Sequence, residues 1–173
     1  MTISQKTIEE QYQEFCNTPS DINEHLPTLR KYYDECAHVT EIGVRGCVSL
    51  HAALASKAKK VVAIDILNVA VPICDKLDFI CANDLEIEIE PTDFLFIDSL
   101  HTYKQLKAEL NLHSKNVRKY IGGHDTFMFG ASSEDGTTPG LLQAIAEFLS
   151  ENKDWAICYS TNNNNGLTIL SKQ

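Results

Sequence analysis

The sequence predicts an α/β domain in which a mostly parallel sheet is covered by helices on both faces. Two observations predict it. From residue 38 onward, short apolar runs alternate with helical patterns, and the last two runs follow each other with no helix between them. Alternating strands and helices are typical of a parallel sheet, and a closing hairpin adds one antiparallel strand. We therefore expect a Rossmann-like three-layer sandwich that ends in a hairpin.

Residues 1–37 are predicted to form helices that precede this core. Apolar residues recur at helical spacing in 8–15 and, after a polar break, again in 22–36. Pro27 is expected to divide the second stretch into a short turn and a helix, because proline lacks the N–H group that a helix interior needs. The predicted organisation is one domain over the whole chain, with the Rossmann-like core in 38–173.

Seven short apolar runs are the candidate strands of this core. Each run is bounded by Gly, Asp, Asn or Pro and is too short for a buried helix, which favours a strand. The runs cover 38–42, 60–64, 78–82, 93–97, 118–121 (the weakest), 155–159 and 166–170. Asn165–Gly166, between the last two runs, is a strong hairpin signal.

Three helices are predicted between these strands. The first covers 47–57, and the second follows the apolar pattern from Tyr103 to Val117. The third is expected to begin with Thr138 as N-cap and Pro139 as the first helical residue, followed by an apolar face in 141–149.

Composition and charge argue against several classes of protein. The 173 residues include 15 Lys+Arg and 24 Asp+Glu, which gives a formal net charge of −9. This acidic balance argues against binding to nucleic acid or to an anionic membrane surface, because both need clustered basic residues. No secretory leader and no apolar run of membrane-spanning length is evident. Six scattered cysteines without a C-x-x-C pair favour a reduced, cytoplasmic protein.

Ligands of such sheets bind beyond the carboxyl ends of the strands, so the residues there are the candidate site. The turn Glu41–Gly46 follows the first strand, and its glycines let the backbone approach a ligand, although ordinary strand-to-helix turns also carry glycine. Asp65 follows the second strand, 19 residues beyond Gly46. A carboxylate at this place accepts hydrogen bonds from the hydroxyls of a ribose. Asn83 and Asp84 follow the third strand and are candidates for contact with an adenine edge.

Carboxylates and imidazoles follow the fourth and fifth strands. Asp98 closes the fourth strand and His101 opens the next helix, so that both can point into one cleft, where a histidine can take a proton from a hydroxyl. His124 and Asp125 follow the fifth strand at the same edge. Asp98 and Asp125 are candidates for sharing a hard divalent ion. The alternative is that Asp98 faces ligand or solvent and Asp125 caps the next turn.

Four motifs in this order resemble class I S-adenosylmethionine-dependent methyltransferases. Within that family the sequence is similar to the small branch related to cephalosporin hydroxylase-like proteins and metal-dependent sugar O-methyltransferases. The motifs are Glu41–Gly46, Asp65, Phe96–Tyr103 and His124–Thr126, and the similarity extends from about Pro19 to Leu170. The resemblance implies a seven-stranded sheet whose last strand is antiparallel, with S-adenosylmethionine as the cofactor.

The resemblance also implies roles for individual residues. The glycine turn would contact the methionine end of the cofactor, and Asp65 would contact its ribose. By the same resemblance Asp98 and Asp125, with His124, would ligate magnesium, and His101, assisted by Asp98, would be the general base. The full set of residues implied to bind the cofactor is Glu41, Gly43, Val44, Arg45, Gly46, Asp65, Ile66, Asn83, Asp84 and Asp98.

The sequence departs from the family's pattern at two places. Arg45 stands where the family's first motif usually carries its third-position glycine, and Cys47 stands at the next glycine position. His124 stands where the metal-dependent sugar enzymes carry an acid, and a neutral imidazole suits magnesium poorly. Arg45 would also crowd a pyrophosphate, which disfavours a dinucleotide as the ligand.

Methylation of a hydroxyl on a small molecule or saccharide is therefore the predicted function. Three alternatives stay open: a nicotinamide-dependent dehydrogenase, a hydroxylase-like enzyme, and a non-catalytic module that binds the cofactor or a partner protein. Arg45 and the lack of room for a second substrate domain disfavour the dehydrogenase. Fold alone does not decide among these functions.

Substrate recognition is assigned to the parts of the chain outside the sheet. The loop 126–137 is rich in Gly, Ser and Thr and is a candidate lid. Phe127 and Phe129 either line the acceptor pocket or anchor this loop to the core. The N-terminal helices are expected to cover the cleft or to form the contact of a homodimer.

Overall fold

Seven strands form the centre of the structure, a computed structural model that describes residues 6–173. The strands are β1 (His38–Ile42), β2 (Lys60–Asp65), β3 (Leu77–Cys81), β4 (Thr92–Ile97), β5 (Val117–His124), β6 (Trp155–Thr161) and β7 (Leu167–Lys172). They pair in the order β3-β2-β1-β4-β5-β7-β6. All neighbours are parallel except that β7 runs antiparallel to both β5 and β6. The predicted mostly parallel sheet with an antiparallel last strand is confirmed.

Five helices cover the two faces of this sheet. They are α1 (Ile8–Asn17), α2 (Leu26–Tyr33), α3 (Val48–Ala55), α4 (Tyr103–His113) and α5 (Leu141–Glu151). The first three pack together on one apolar cluster, and α4 and α5 pack on the other. Side chains alternate along each strand, so Phe94 and Phe96 join the first cluster while Leu95 and Ile97 join the second. This arrangement is the expected three-layer sandwich.

The region before β1 follows the predicted division at Pro27. A single 3-10 turn covers Asn23–His25, and α2 starts at once with proline in its first turn. Proline is tolerated there because the first N–H groups of a helix have no partner within the helix.

The fifth strand is longer than predicted. It begins at Val117, which was expected on the preceding helix, and it continues through Gly122–His124, which was expected to follow the strand. Gly122 serves packing within the sheet, since an added Cβ there would lie 2.9 Å from the ring of Phe94. Asp125 is therefore the first residue beyond the strand.

The start of α5 also differs from the prediction. The helix begins at Leu141 rather than at Pro139, and Thr138 does not cap it. The N–H groups of Leu141 and Leu142 donate instead to the carbonyls of Phe129 and Gly130, at 2.9 and 3.1 Å. The preceding loop supplies these acceptors by passing close to the helix, so no side-chain cap is needed.

None of the helices within residues 6–173 combines the length and the apolarity that crossing a bilayer requires. All six cysteines are free.

The turn after β1 is wedged between the ends of β2 and β4. Gly43 donates its N–H to the carbonyl of Ile64 at 2.8 Å, and Asp98 donates to the carbonyl of Ile42 at 2.9 Å. Gly43 has φ +83°, and an added Cβ there would lie 2.2 Å from the carbonyl oxygen of Asp98. Only glycine fits this position, which fixes the path of the turn beside Asp98.

Gly43→Ala should lower the free energy of unfolding by about 3 kcal/mol, because it combines an unfavourable φ with a backbone clash. Urea denaturation measures this change. Gly46→Ala is the matched control: an added Cβ at Gly46 meets no atom within 4 Å, so its effect should stay within about 0.5 kcal/mol. Equal destabilisation by the two variants would contradict the wedged geometry.

Candidate active site

Two cavities lie side by side beyond the carboxyl ends of the central strands. The larger measures about 560 Å³ and is lined by residues that include Asp65, Ile66, Asn83, Asp84 and Leu100. The smaller measures about 140 Å³ and is lined by residues that include Asp21, Ile22, Val44, Gly46, Ser49 and His101. Gly43, Arg45, Asp98 and Ser99 line both. The two cavities therefore form one cleft with a wide end and a narrow end.

Asp65 stands at the wide end and also holds the glycine turn. Its Oδ2 accepts the N–H groups of Val44 and Arg45 at 3.0 and 3.1 Å, and its Oδ1 accepts the N–H of Leu67 at 2.8 Å. A carboxylate has about four acceptor positions. Asp65 therefore keeps one position for a ligand hydroxyl while it ties the end of β2 to the turn after β1.

Asn83 and Asp84 also line the wide end, just beyond β3. Asn83 caps a 3-10 turn by accepting the N–H of Leu85 at 3.2 Å. The buried carboxylate of Asp84 accepts the side-chain amide of Gln105 at 3.3 and 3.4 Å. The structure thus brings both residues to the same cavity as Asp65.

Glu41 lies behind the turn rather than in the cleft. It is fully buried and lines neither cavity. One carboxylate oxygen accepts the hydroxyl of Ser49 at 2.6 Å, and the other has no partner among the described residues. Burial raises the pKa of Glu41 to about 8. Its observed contact is therefore with the start of α3.

His101 lies among three carboxylates. Its Nε2 is 2.9 Å from Asp125 and 3.1 Å from Asp98, and its Nδ1 is 2.7 Å from Glu134. Burial alone would lower the pKa of this imidazole, but the hydrogen bonds with Asp125 and Asp98 outweigh burial and raise the pKa to about 10. The ring of Phe129 stacks on it, with centroids 5.2 Å apart.

His124 joins the same cluster from β5. Its Nε2 lies 3.1 Å from the carbonyl oxygens of Asp21 and Asn164, which only accept hydrogen bonds, so this nitrogen carries a proton. Its Nδ1 faces Asp98 and Asp125 at 3.3 and 3.4 Å. Burial opposes the charged form of His124, but the bonds with these two carboxylates raise its pKa to about 10.

Three of these side chains are placed to hold a metal ion. One ligand atom each from Asp98, His101 and Asp125 lie within 4.8 Å of one another. Asp125 also has a buried Oδ1 without a partner among the described residues. Two carboxylates with one imidazole fit a divalent cation. His101 completes this group, whereas His124, the predicted third ligand, lies beside it with Nδ1 facing the same two carboxylates.

Two residues of this cluster were not singled out by sequence reasoning. Glu134 lies in the loop 126–137, and its backbone N–H donates to the carbonyl of His101 at 3.0 Å while its carboxylate binds the ring. Asn164 lies in the final hairpin, where its φ of 40° suits asparagine. Neither has a local sequence signal, because each acts on a histidine more than 30 residues away in the chain.

The two loop phenylalanines take different positions. Phe129 anchors the loop through its stacking on His101. Phe127 is 61% exposed and lines a third cavity of about 410 Å³ with Ser160, Thr161 and Thr168. The anchoring role predicted for one of these rings therefore describes Phe129, and the acceptor-pocket role stays a prediction for Phe127.

A buried acid lies beneath the cleft on α4. Glu109 is fully buried, accepts the hydroxyl of Ser99, and accepts the amide of Gln105 at 3.0 Å. Its second oxygen has no partner among the described residues. Burial raises the pKa of Glu109 to about 8, so the carboxyl is largely protonated below that pH.

No protein-family model matches the chain, and no protein of curated function matches its sequence. Solved structures do match. The O-methyltransferase from Bacillus cereus, in complex with SAH, is 16% identical over 99% of this chain and 92% of that chain, with a TM-score of 0.62. The O-methyltransferase TomG from Streptomyces achromogenes, in complex with SAM, is 13% identical over 99% of this chain and 92% of that chain, with a TM-score of 0.63.

A third match is the methyltransferase MycE of the mycinamycin biosynthetic pathway, in complex with Mg, SAH and mycinamycin VI. It is 16% identical over 97% of this chain and 55% of that chain, with a TM-score of 0.66. At such identities the likeness concerns the fold. The chain has the class I methyltransferase fold that its motifs predicted.

Glu109→Gln should remove a destabilisation that grows with pH. An acid whose folded pKa of about 8 lies above its ordinary 4.5 keeps its proton in the folded state, so wild-type stability falls as pH rises through this window. Relative to wild type, the variant should gain at most about 1.4 kcal/mol of unfolding free energy per pH unit. Urea denaturation at pH 6 and pH 8 measures the difference.

Glu147→Gln is the matched control. Hydrogen bonds from Gln143, Lys107 and Tyr103 lower the pKa of Glu147 to about 2. It is therefore ionised in both states between pH 6 and pH 8, and its substitution should show no trend with pH. The same trend in both variants would contradict the assignment to Glu109.

Proposed function

We propose that the protein transfers the methyl group of S-adenosylmethionine to a hydroxyl of a small molecule or saccharide, using the whole chain as one catalytic domain. The observation that carries the proposal is the cleft itself. Its wide end presents Asp65, and its narrow end borders the cluster of Asp98, His101 and Asp125. A nucleoside site and an acid–base cluster thus share one continuous space.

The residues present fit the adenosyl part of the cofactor. The free acceptor position of Asp65 suits a ribose hydroxyl, and Asn83 and Asp84 stand where polar groups would meet an adenine edge. Ile66 and Leu100 are 68% and 54% exposed and line the same cavity. Covering these apolar side chains with a flat ring would stabilise the complex.

The reaction needs a group that removes the proton of the attacking hydroxyl. Glu134 binds Nδ1 of His101 and so orients the ring, which leaves Nε2 directed at Asp98 and Asp125. Stacking on Phe129 limits rotation of the ring. We assign His101 as the general base, with the proton accepted at Nε2 once the ring is neutral. Because its pKa of about 10 keeps the ring protonated near neutral pH, this role predicts that methyl transfer increases as pH rises toward that value.

A divalent ion, for which we propose magnesium, would be held by Asp98 and Asp125. When bound, it supplies positive charge that offsets these carboxylates and favours the ionised form of an acceptor hydroxyl. The free Oδ1 of Asp125 supports this assignment. The imidazoles at the site oppose magnesium in particular, because this ion prefers oxygen ligands.

The acceptor is proposed to be a saccharide or another neutral or cationic small molecule. Support comes from the net charge of −9 and from the third cavity, where Ser160, Thr161 and Thr168 offer hydroxyls beside the exposed ring of Phe127. Free cysteines support a cytoplasmic location. The homodimer stays a prediction.

Calorimetry with S-adenosylhomocysteine tests the cofactor assignment. Wild type should bind it, and Asp65→Asn should weaken binding by about tenfold or more, because a charge-assisted hydrogen bond to ribose is lost. Asp78→Asn on β3 is the control: its side chain is 69% exposed and lines neither cavity of the cleft. The absence of binding to wild type at millimolar ligand would overturn the proposal.

His101→Ala should lower methyl transfer by about 10²-fold or more while it leaves the affinity for S-adenosylhomocysteine within about threefold. The assay uses labelled S-adenosylmethionine, with and without Mg²⁺, against sugars, catechols and small alcohols. Product mass separates methylation from hydroxylation, since methylation adds CH₂ and hydroxylation adds oxygen. Unchanged turnover by the variant would exclude His101 as the base.

A further inference from the structure

Two opposite charges face each other at the narrow end of the cleft. The guanidinium of Arg45 lies 2.9 Å from the carboxylate of Asp21. Both residues line the smaller cavity, Arg45 from the glycine turn and Asp21 from the segment between α1 and α2. The pair therefore joins the N-terminal segment to the turn at the edge of the space.

The backbone of Arg45 indicates that its side chain has a specific use. Its φ is 32°, a region that residues other than glycine occupy at a conformational cost. The side chain is 81% exposed, so burial in the core does not offset this cost. Glycine would be the unstrained choice for the turn alone.

Stability does not account for the ion pair either. Exposed pairs of this kind contribute little to folding, because water screens them and two long side chains lose freedom. For the same reason the pair separates at small cost. Its two charges are thus available to a ligand that offers one charge of each sign.

The surroundings favour a ligand that carries a carboxylate at Arg45. Arg45 and His101 carry the basic groups among the described residues that line the smaller cavity, and the ring of His101 is already bound by three carboxylates. Asp98 lines the same cavity and would repel a carboxylate that bound elsewhere in it. The backbone of Asp21 is held beside the cavity, because its carbonyl accepts the Nε2 proton of His124 at 3.1 Å.

We propose that Arg45 and Asp21 bind the zwitterionic amino-acid end of the cofactor, an inference that rests on the proposed function. The guanidinium of Arg45 binds the α-carboxylate, a geometry that guanidinium groups suit. The carboxylate of Asp21 binds the α-ammonium. On binding, the ion pair between the two side chains is exchanged for these two contacts. Arg45, at the position of a missing glycine, thus determines specificity for the amino-acid end.

The test compares two ligands that share the adenosyl group. S-adenosylhomocysteine carries the amino-acid end, and 5′-methylthioadenosine lacks it. Calorimetry measures both with wild type, Arg45→Gln and Asp21→Asn. Arg45→Gln should weaken the binding of S-adenosylhomocysteine by about tenfold or more, and Asp21→Asn should weaken it by about fivefold. Each variant loses one charge-assisted contact with the ligand. Both variants should bind 5′-methylthioadenosine within about twofold of wild type.

Arg118→Gln is the matched control, because it removes the same charge near the amino end of β5, away from the cleft. It should leave both affinities unchanged. Unchanged binding of S-adenosylhomocysteine by Arg45→Gln would overturn the inference, as would tighter binding, which would mean that the ion pair obstructs the cavity. An equal loss of affinity for both ligands would instead indicate a distorted turn, and this result would also overturn the inference. If wild type binds neither ligand, the proposed function itself fails.

Discussion

The hydrogen bonds from the turn after β1 to Asp65 are the interaction on which the rest of the cleft depends. One carboxylate oxygen gathers two successive backbone N–H groups, so the turn is held in a conformation with three positive φ values, at Gly43, Arg45 and Cys47. That conformation places the turn against the end of β4, where Gly43 and Arg45 line both cavities of the cleft. A group expected to bind only a ligand therefore also maintains the shape of the site.

Charge is distributed unevenly around the cleft. The cleft combines buried or half-buried carboxylates with two imidazoles whose hydrogen bonds offset the repulsion between Asp98 and Asp125. Glu41 and Glu109 lie behind it as raised-pKa acids that bind one hydroxyl each. Such a site lowers the stability of the fold, which is usual where polar groups are arranged for chemistry.

The sequence was sufficient for the sheet and for the edge where the site lies. Apolar runs and their order predict the strands, and the rule that ligands bind at carboxyl ends selects Asp65, Asp98 and Asp125. It was insufficient where distant segments meet. Glu134 and Asn164 reach His101 and His124 only through loop packing, and the long β5 depends on pairing with β7. The glycines at 122 and 123 indicated a turn, because the packing of Gly122 against Phe94 has no local sequence signal.

The carbonyl of Asn164 has a consequence for how the protein is made. It accepts from His124 and also lies 3.0 Å from Nε2 of His25, and the Asn164 side chain binds the backbone of Glu24. Two segments far apart in the chain, one around residues 24–25 and one at the end of β5, thus converge on Asn164 in the final hairpin. During synthesis, which proceeds from the amino terminus, the central strands emerge well before this residue. The contacts that hold His25 and His124 against Asn164 therefore form only after the final hairpin has been made.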